Sequence, residues 1–332
     1  MNQSLHFNRR GTLASIIAVV ALSLVSASTP APQVENPVDA AMPRYERIKE
    51  LSGNVRIVGS STVSGLLARM SEPFRTEYPA VQFDVKGGGS ATAAPALLDG
   101  TADIAAMSRP MSATEKSDFQ AKFGYAPTEI AVGLDAIGVF VNKDNPITSL
   151  IVADVAGLFS DGSKGSPTAK TWGELGLSGE WQGRKIVAFG FRPDSGGSSI
   201  MKESVLAGAN FRQDLKVQPG ATGIVNGVGA EPGGVGYASQ FYRSRATKMV
   251  PLAASKGAAV VEASRETVLD GTYPLGRRLY VYLNRKSGTA LAPATLEFIR
   301  FALSRNGQEV IAKEGNLPLP ASLVAEGRAK IG

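Results

Sequence analysis

Hydroxyl side chains cluster in a short segment between an apolar run and a helical pattern. Gly59-Ser60-Ser61-Thr62-Val63 follows the strand candidate VRIV at 55–58. Unpaired backbone N–H groups and the positive end of the helix dipole meet at a helix N-terminus. Three hydroxyl-bearing residues at that point predict an anion site. A plain Ser or Thr N-cap is the alternative, and it accounts for only one of the hydroxyls.

A second glycine-rich segment has the same setting. Gly87-Gly88-Gly89-Ser90-Ala91-Thr92 follows the alternating run VQFDVK at 81–86. Glycines allow a ligand to approach the backbone closely, and Ser90 can cap a helix and contact a ligand. A flexible turn is the alternative. The segment matches neither G-x-G-x-x-G nor a Walker loop, and the chain contains no Gly-Lys dipeptide, so nucleotide binding is disfavoured.

Two further segments carry an arginine beside hydroxyl groups. Phe191-Arg192-Pro193-Asp194-Ser195-Gly196-Gly197-Ser198-Ser199 follows the strand candidate KIVAFG, and Ser108-Arg109 ends the apolar segment ADIAAM. A guanidinium fork matches two oxygens of a tetrahedral oxyanion. The alternatives are a surface ion pair between Arg192 and Asp194, and an ion pair between Arg109 and a neighbouring acid.

Composition removes most hydrolytic and metal chemistry. The 332 residues are 43% apolar and 19% charged, with no cysteine and one histidine, His6. Residues 1–27 have the charged start, apolar centre and small-residue end of a signal peptide; an uncleaved anchor helix is the alternative. Cleavage removes His6, Arg9 and Arg10 but no acid, which leaves a net charge of +4. The mature chain then lacks histidine catalysis, thiol chemistry and a cysteine lipid anchor, so we expect a soluble periplasmic protein.

The elements that position these segments alternate between strand and helix. Residues 28–52 predict a proline-containing linker. Strands are predicted at 103–107, 130–134, 137–142, 185–190 and 279–283, and helices at 63–78, where Pro73 should kink or divide the helix, and at 90–99. The last long helix is predicted at 293–303. This alternation indicates an α/β fold with mostly parallel sheets, whose ligands collect at strand ends.

The order of these segments resembles the phosphate-binding proteins of bacterial ABC phosphate importers, in the periplasmic-binding-protein superfamily. The resemblance covers nearly all of 53–332 and includes TWGELG at 171–176, PGGVGYAS at 232–239 and YPLGRRLYVYLN at 273–284. It implies a two-lobe fold of the class II type, with the ligand cleft between lobes joined by a two-strand hinge. Lobe 1 is predicted at 53–133 with 276–332, and lobe 2 at 134–275.

The resemblance also implies a set of phosphate ligands and no reaction, because such proteins hand the anion to a membrane permease. The usual Ser-Gly-Thr after the arginine is here Ser195-Gly196-Gly197-Ser198, and members with Ser-Arg at 108–109 lack the aspartate that others place at Arg109. With Arg109 and Asp135 included, the predicted ligand-binding residues are Ser61, Thr62, Ser90, Arg109, Asp135, Arg192, Ser195, Gly196, Gly197 and Ser198.

Asp135 is included as the acceptor of the proton that monohydrogen phosphate carries and sulfate lacks. A buried carboxylate that faces this O–H group accepts from phosphate and repels sulfate. Asp135 lies in AVGLDAIGVFVN, where we expect the chain to cross between lobes. A hinge or turn aspartate is the alternative role, and Asp194 and Asp103 are the second and third candidates for the acceptor.

Three other functions remain open at this point. The first is a receptor for another oxyanion, such as sulfate, molybdate or a phosphonate, and the second is a structural or adhesive surface protein on the same scaffold. Ser199-Ile200-Met201-Lys202 and Lys286-Ser287-Gly288 resemble motifs of penicillin-type serine hydrolases, but the S-x-N element at Ser304 comes in the wrong order. We predict a monomer without catalytic residues, cofactor or metal, and without nucleic-acid binding, since no basic run contains interleaved aromatics.

Overall fold

The computed structural model describes residue 1, residues 38–193, 198, 201–240, 242 and 244–332. The predicted signal peptide therefore lies outside the described residues, apart from Met1. The described strands are β1 (Gly53–Gly59), β2 (Val81–Gly87), β3 (Ile104–Met107), β4 (Thr128–Asn142), β5 (Leu150–Ile151), β6 (Val187–Gly190), β7 (Lys216–Val217), β8 (Gly234–Ser239), β9 (Thr247–Val250), β10 (Leu252–Ala253) and β11 (Gly276–Leu283).

Helices alternate with these strands, as the sequence predicts for an α/β fold. They are α1 (Ser61–Glu77), α2 (Ala93–Leu98), α3 (Ala113–Phe123), α4 (Val152–Phe159), α5 (Ala221–Ala230), α6 (Arg265–Leu269), α7 (Pro293–Ala302), α8 (Arg305–Lys313) and α9 (Ala321–Ala329). A 3₁₀ turn over Ser90–Thr92 precedes α2, and a short π-helix spans Met201–Val205. No helix in the described ranges has both the length and the apolar composition needed to cross a bilayer.

One long strand connects the two halves of the main sheet. The strand order is β2-β1-β3-β11-β4-β8-β6-β7, and β9 also pairs with β4. Residues 128–136 of β4 pair with β11, whereas residues 137–142 pair with β8 and β9. We call β2, β1, β3, β11 and residues 128–136 the first half, and β8, β6, β7, β9 and residues 137–142 the second half. Inner pairs such as β1–β3 and β6–β8 are parallel, while β11 and β4 run antiparallel to their neighbours, so the sheet is mixed.

The chain returns to the first half just before β11. The backbone N–H of Ile137 donates to the carbonyl of Leu275 at 3.1 Å, and the Tyr273 hydroxyl donates to the carbonyl of Ile137 at 2.7 Å. The predicted lobe boundaries at 133/134 and 275/276 fall beside these two crossings. The division into lobes stays a prediction.

Apolar packing explains why β4 is continuous although two strands were expected. Nearly all of residues 130–142 are buried, including Ile130, Val132, Val139 and Val141 at 0% exposure. Asp135 lies within this run, and it does not interrupt the strand because Arg277 on the adjacent strand pairs with it. A run buried on both faces favours a central strand over a turn.

Other local predictions differ from the structure for identifiable reasons. α1 passes through Pro73 without division: the missing N–H of Pro73 removes one hydrogen bond, but Met70 and Phe74 on either side of it are fully buried in the core and hold the helix in place. The helix predicted at 293–303 is not the last: α8 and α9 follow it. Ser304 caps α8 by accepting from the N–H of Gly307, a start signal that the apolar pattern alone did not reveal.

The described part of the predicted linker packs on the body. The Tyr45 ring lies 5.5 Å from that of Phe301 and 6.1 Å from that of Phe74, measured between centroids. Its hydroxyl donates to Glu297 at 3.0 Å, and Met42 is 4% exposed. An aromatic ring that buries its apolar body and satisfies its hydroxyl anchors a segment, so residues 42–48 are part of the folded body.

Candidate functional site

The first hydroxyl segment joins β1 to α1 and lies against the second glycine-rich segment. Gly59 has φ of +144°, and a Cβ there would lie 2.0 Å from the carbonyl oxygen of Ala106, so only glycine fits. Its own carbonyl accepts from the N–H groups of Gly88 (2.8 Å) and Gly89 (3.0 Å). Backbone hydrogen bonds therefore hold the two loops together at the carboxyl ends of β1 and β2.

Ser60 does not act as a side-chain N-cap for α1. It is the N-cap residue by position, but its hydroxyl makes no cap hydrogen bond. It is fully buried, and its Oγ contacts no hydrogen-bond partner among the described residues. The N-cap alternative is therefore wrong for Ser60. α1 begins at Ser61, and the Ser60 hydroxyl satisfies none of the N–H groups in its first turn.

Ser90 and Ser108 form a buried hydroxyl pair behind these loops. Their Oγ atoms are 3.1 Å apart, and the N–H of Ser108 donates to Ser90 Oγ at 3.2 Å. They are 5% and 2% exposed. Ser90 starts the 3₁₀ turn after β2, and Ser108 follows β3, so the carboxyl ends of the two strands that flank β1 bring the two residues together. The Ser108 hydroxyl also donates to Glu203 Oε2 at 3.2 Å.

Arg277 and Asp135 form a cross-strand ion pair in the cleft. They are register partners on β11 and β4, and the Arg277 Nε donates to Asp135 Oδ2 at 3.1 Å. Only 11% of the Arg277 side chain and 8% of the Asp135 side chain are exposed. Arg277 Nη2 also donates to Thr62 Oγ1 at 3.2 Å, and Nη1 to Glu203 Oε2 at 3.1 Å. The nearly buried guanidinium of Arg277 therefore connects the N-terminus of α1 to β4.

Thr62, Asp135 and Arg277 line one cavity of about 600 Å³. Its polar wall contains the α1 terminus and the Arg277–Asp135 pair, and its other walls come from the second half and from the α8–α9 connection. The lining residues are Ser61, Thr62, Gly65, Leu66, Arg69, Asp135, Ile137, Phe191, Pro219, Gly220, Ala221, Ser239, Tyr242, Arg277, Glu314 and Asn316. Hydroxyl donors and the guanidinium groups of Arg277 and Arg69 line a common space, which is the arrangement that an anion requires.

Arg109 is engaged elsewhere. Its guanidinium makes two hydrogen bonds of 2.8 Å to Glu115, which lies in the first turn of α3. Glu115 also completes a capping box with Ser112. The hydrogen bonds from Arg109 lower the pKa of Glu115 to about 2, against a smaller opposing effect of burial. The Arg109–Glu115 pair is the ion pair with a neighbouring acid that the sequence offered as an alternative. The role of Arg109 as an anion ligand stays a prediction, and no described contact supports it.

Arg192 and Ser198 belong to the segment after β6, which begins with Phe191 of the cavity wall. Arg192 is exposed, and its carbonyl accepts from the Ser198 hydroxyl at 2.7 Å. Ser198 is fully buried, and its Oγ lies 3.1 Å from the hydroxyl of Tyr237. The described contacts of the Ser198 side chain therefore hold the loop against β8. Ser195, Gly196 and Gly197, together with Asp194, lie outside the described residues.

The remaining acceptor candidate, Asp103, is at the opposite end of the sheet. Its carboxylate pairs with Arg56 at 2.6 Å, just before β3 begins. An aspartate at the amino end of a strand cannot reach a ligand at the carboxyl ends, so Asp103 is wrong as a proton acceptor. Within the described ranges, no group of three or more His, Asp or Glu residues is arranged to hold a metal ion.

Sequence reasoning missed Arg277 and Glu203. Arg277 lies in the segment YPLGRRLYVYLN, and nothing in the local sequence distinguishes it from Arg278 as a ligand. The signal that could have found it is the start of an antiparallel strand opposite Asp135, since adjacent strands place opposite charges side by side. Glu203 directly follows the motif Ser199–Lys202, whose spacing indicates hydrolase chemistry and nothing about an anion site.

Comparisons with known proteins agree with this geometry. Residues 28–306 match the family model for a PBP superfamily domain. The chain is 38% identical over 318 residues to the phosphate-binding protein PstS of Pseudomonas aeruginosa, covering 95% of this chain and 98% of that protein. It is 30% identical to the protein SphX of Synechococcus elongatus over 86% of this chain and 84% of that one.

Solved structures share the fold. A crystal structure from Planctomyces limnophilus aligns with a TM-score of 0.76 at 26% identity, over 85% of this chain and 98% of that one. An ABC-type phosphate transport receptor from Vibrio cholerae aligns with a TM-score of 0.58 at 20% identity, over 80% and 100%, and supports the fold alone. The chain therefore belongs to the periplasmic-binding-protein superfamily, within the family of the PstS proteins.

Proposed function

We propose that this protein is the receptor for inorganic phosphate of an ABC importer. The observation that carries the proposal is the single cavity in which the α1 terminus, Thr62 and the Arg277–Asp135 pair face one another. Its relative PstS from Pseudomonas aeruginosa is named a phosphate-binding protein. The protein binds and releases its ligand without a chemical step.

The chemistry of the cavity favours a protonated oxyanion over sulfate. Hydroxyl groups, backbone N–H groups and the Arg277 guanidinium of the first half donate to the anion, while the Asp135 carboxylate lies close to the same cation. A phosphate O–H group can donate to such a carboxylate, whereas every oxygen of sulfate meets it with repulsion. In this proposal, Asp135 orients Arg277 through one carboxylate oxygen and accepts the ligand proton through the other.

The second half completes the coordination in this proposal. Arg192 supplies a guanidinium fork, and Ser195, Gly196, Gly197 and Ser198 supply hydroxyl or backbone donors after the strand β6. Ser61 and Ser90 contribute from the first half. With donors contributed from both halves, ligand binding would bring the halves closer, which small-angle scattering with and without phosphate can detect.

The decisive experiment is calorimetric titration of purified protein with phosphate and with sulfate. The protein is first unfolded, dialysed and refolded, so that a retained anion does not mask binding. We expect phosphate to bind at least a hundredfold more tightly than sulfate, because an unpaired buried acceptor costs on the order of 2–3 kcal/mol. Comparable affinities would favour a general oxyanion receptor and contradict the acceptor role of Asp135.

The cellular context follows from the same proposal. The signal peptide at 1–27 is removed on export, the mature monomer works in the periplasm, and it delivers phosphate to the membrane permease. N-terminal sequencing of the exported protein tests the cleavage site. Mass spectrometry after incubation with penicillin tests the hydrolase alternative at Ser199, for which we expect no covalent adduct.

A further inference from the structure

The carboxylate of Glu203, between two strands of the second half of the sheet, contacts two donors from the first half. Glu203 lies on the π-helix Met201–Val205, in the chain between β6 and β7. Its Oε2 accepts from Arg277 Nη1 at 3.1 Å and from the Ser108 hydroxyl at 3.2 Å. Arg277 belongs to β11, and Ser108 follows β3. The contact therefore spans the cleft between the halves.

The contact with Glu203 uses the hydroxyl protons of both Ser90 and Ser108. A serine hydroxyl has one proton to donate. When Ser108 donates to Glu203, the 3.1 Å contact between Ser108 Oγ and Ser90 Oγ requires Ser90 as the donor. The chain Ser90→Ser108→Glu203 thus commits both hydroxyl protons. Neither is then available to an anion in the cavity.

The same carboxylate also competes for the cation. Arg277 lines the cavity and is 11% exposed, so its charge is poorly screened by solvent, whereas the Glu203 side chain that pairs with it is 38% exposed. An incoming anion and the Glu203 carboxylate require the same N–H and O–H groups, and they repel each other. Glu203 can rotate outwards at small cost because its outer part already contacts solvent.

We propose that Glu203 is an affinity-determining residue: its carboxylate acts as an internal anion that competes with phosphate for Arg277 and Ser108. The inference rests on the proposed function and concerns the same cavity. Phosphate binding displaces the carboxylate and frees the Ser108 hydroxyl, at the end of the Ser90→Ser108 chain, to donate to the ligand. The competition does not depend on the proton of the ligand, so it lowers the affinity for every oxyanion by a similar factor.

The test is calorimetry of Glu203→Gln with phosphate, and with sulfate by competition against phosphate. Glutamine keeps the shape and a weaker acceptor but removes the charge. We expect both anions to bind about twofold to fivefold more tightly than to the wild type, the size expected of a partly exposed ion pair. Glu180→Gln is the matched control, since Glu180 is 76% exposed and contacts Arg184 at 3.4 Å, away from the cavity.

Each outcome separates this inference from the function on which it rests. If phosphate weakens while sulfate strengthens, Glu203 accepts the ligand proton and the competition is wrong. If the affinities for phosphate and sulfate both fall, Glu203 holds the donors in place for the ligand. If neither affinity changes, the Glu203 contact has no effect on binding. Each of these two results also overturns the inference. Glu203→Asp, which is one methylene shorter and should hold the two donors less well, should also tighten binding and serves if the glutamine variant does not fold. Failure of the wild type and the Glu180 variant to bind phosphate would instead refute the proposed function.

Discussion

Replacement of Arg277 by glutamine should weaken phosphate binding and also lower the stability of the fold, and the two effects can be measured separately. Two unit charges about 4 Å apart interact with about 4 kcal/mol at an effective dielectric constant of about 20. Loss of hydration offsets part of this attraction for a guanidinium that is only 11% exposed. We therefore expect a loss of about 2–4 kcal/mol in binding free energy, or about 30- to 1000-fold in Kd.

The same variant leaves Asp135 as an unpaired charge at 8% exposure. Breaking a buried pair on one side costs about 3–5 kcal/mol of folding stability. The double variant Arg277→Gln/Asp135→Asn removes both charges and should recover most of that stability without recovering phosphate affinity. Thermal unfolding and calorimetry of the single and double variants separate these two effects.

Arg278→Gln is the matched control for this experiment. Arg278 is the next residue on β11, so its side chain points to the other face of the strand, and it donates to the carbonyl of Leu269 at 3.0 Å. We expect its phosphate affinity to stay within about twofold of the wild type. A folded Arg277→Gln protein that binds phosphate within about threefold of the wild type would refute the role of Arg277 as the main cation of the first half.

Three further predictions concern the loops around the cavity. Arg192→Ala should lower phosphate affinity by about 2–4 kcal/mol in calorimetry, and unchanged affinity would remove Arg192 from the site. Gly59→Ala should destabilise the protein by more than about 3 kcal/mol in denaturant unfolding, because its Cβ would lie 2.0 Å from the Ala106 carbonyl oxygen at a φ of +144°; a wild-type midpoint would contradict this geometry. Glu115, whose pKa is lowered from 4.5 to about 2, stabilises the fold fully above pH 4.5 and loses this contribution as the pH falls towards 2. Carboxyl NMR titration of Arg109→Ala should show a raised pKa of Glu115, and an unchanged value would exclude the ion pair as its cause.

Local sequence patterns determined the strand–loop–helix units that carry most of the candidate site. The apolar run before Gly59, the hydroxyls after it and the helical pattern from Val63 define one such unit. The same reasoning placed Ser90 after β2 and Ser108 after β3. These predictions succeeded because strand alternation, glycine loops and helix starts depend on neighbours a few residues apart.

The Arg109–Glu115 pair was also within reach of local reasoning. Ser112 and Glu115 have the spacing of a capping box, and Arg109 lies six residues before that glutamate. The sequence offered an ion pair with a neighbouring acid, but it could not decide between that pair and an anion in the cleft. The choice depends on whether the end of β3 faces α3 or the cavity, which is a matter of packing.

Only the tertiary structure decided which charges meet in the cleft. Asp135 and Arg277 are 142 residues apart, and Glu203 and Arg277 are 74 residues apart. The first pair depends on the register of β4 against β11, and the second on how the two halves approach each other. Register and approach are set by the burial of apolar surface over the whole core, where each local segment contributes only a small part of the free energy. The sequence alone therefore determined the donors of the loops and their order, while the position of the buried cation and of its competing carboxylate followed from long-range packing.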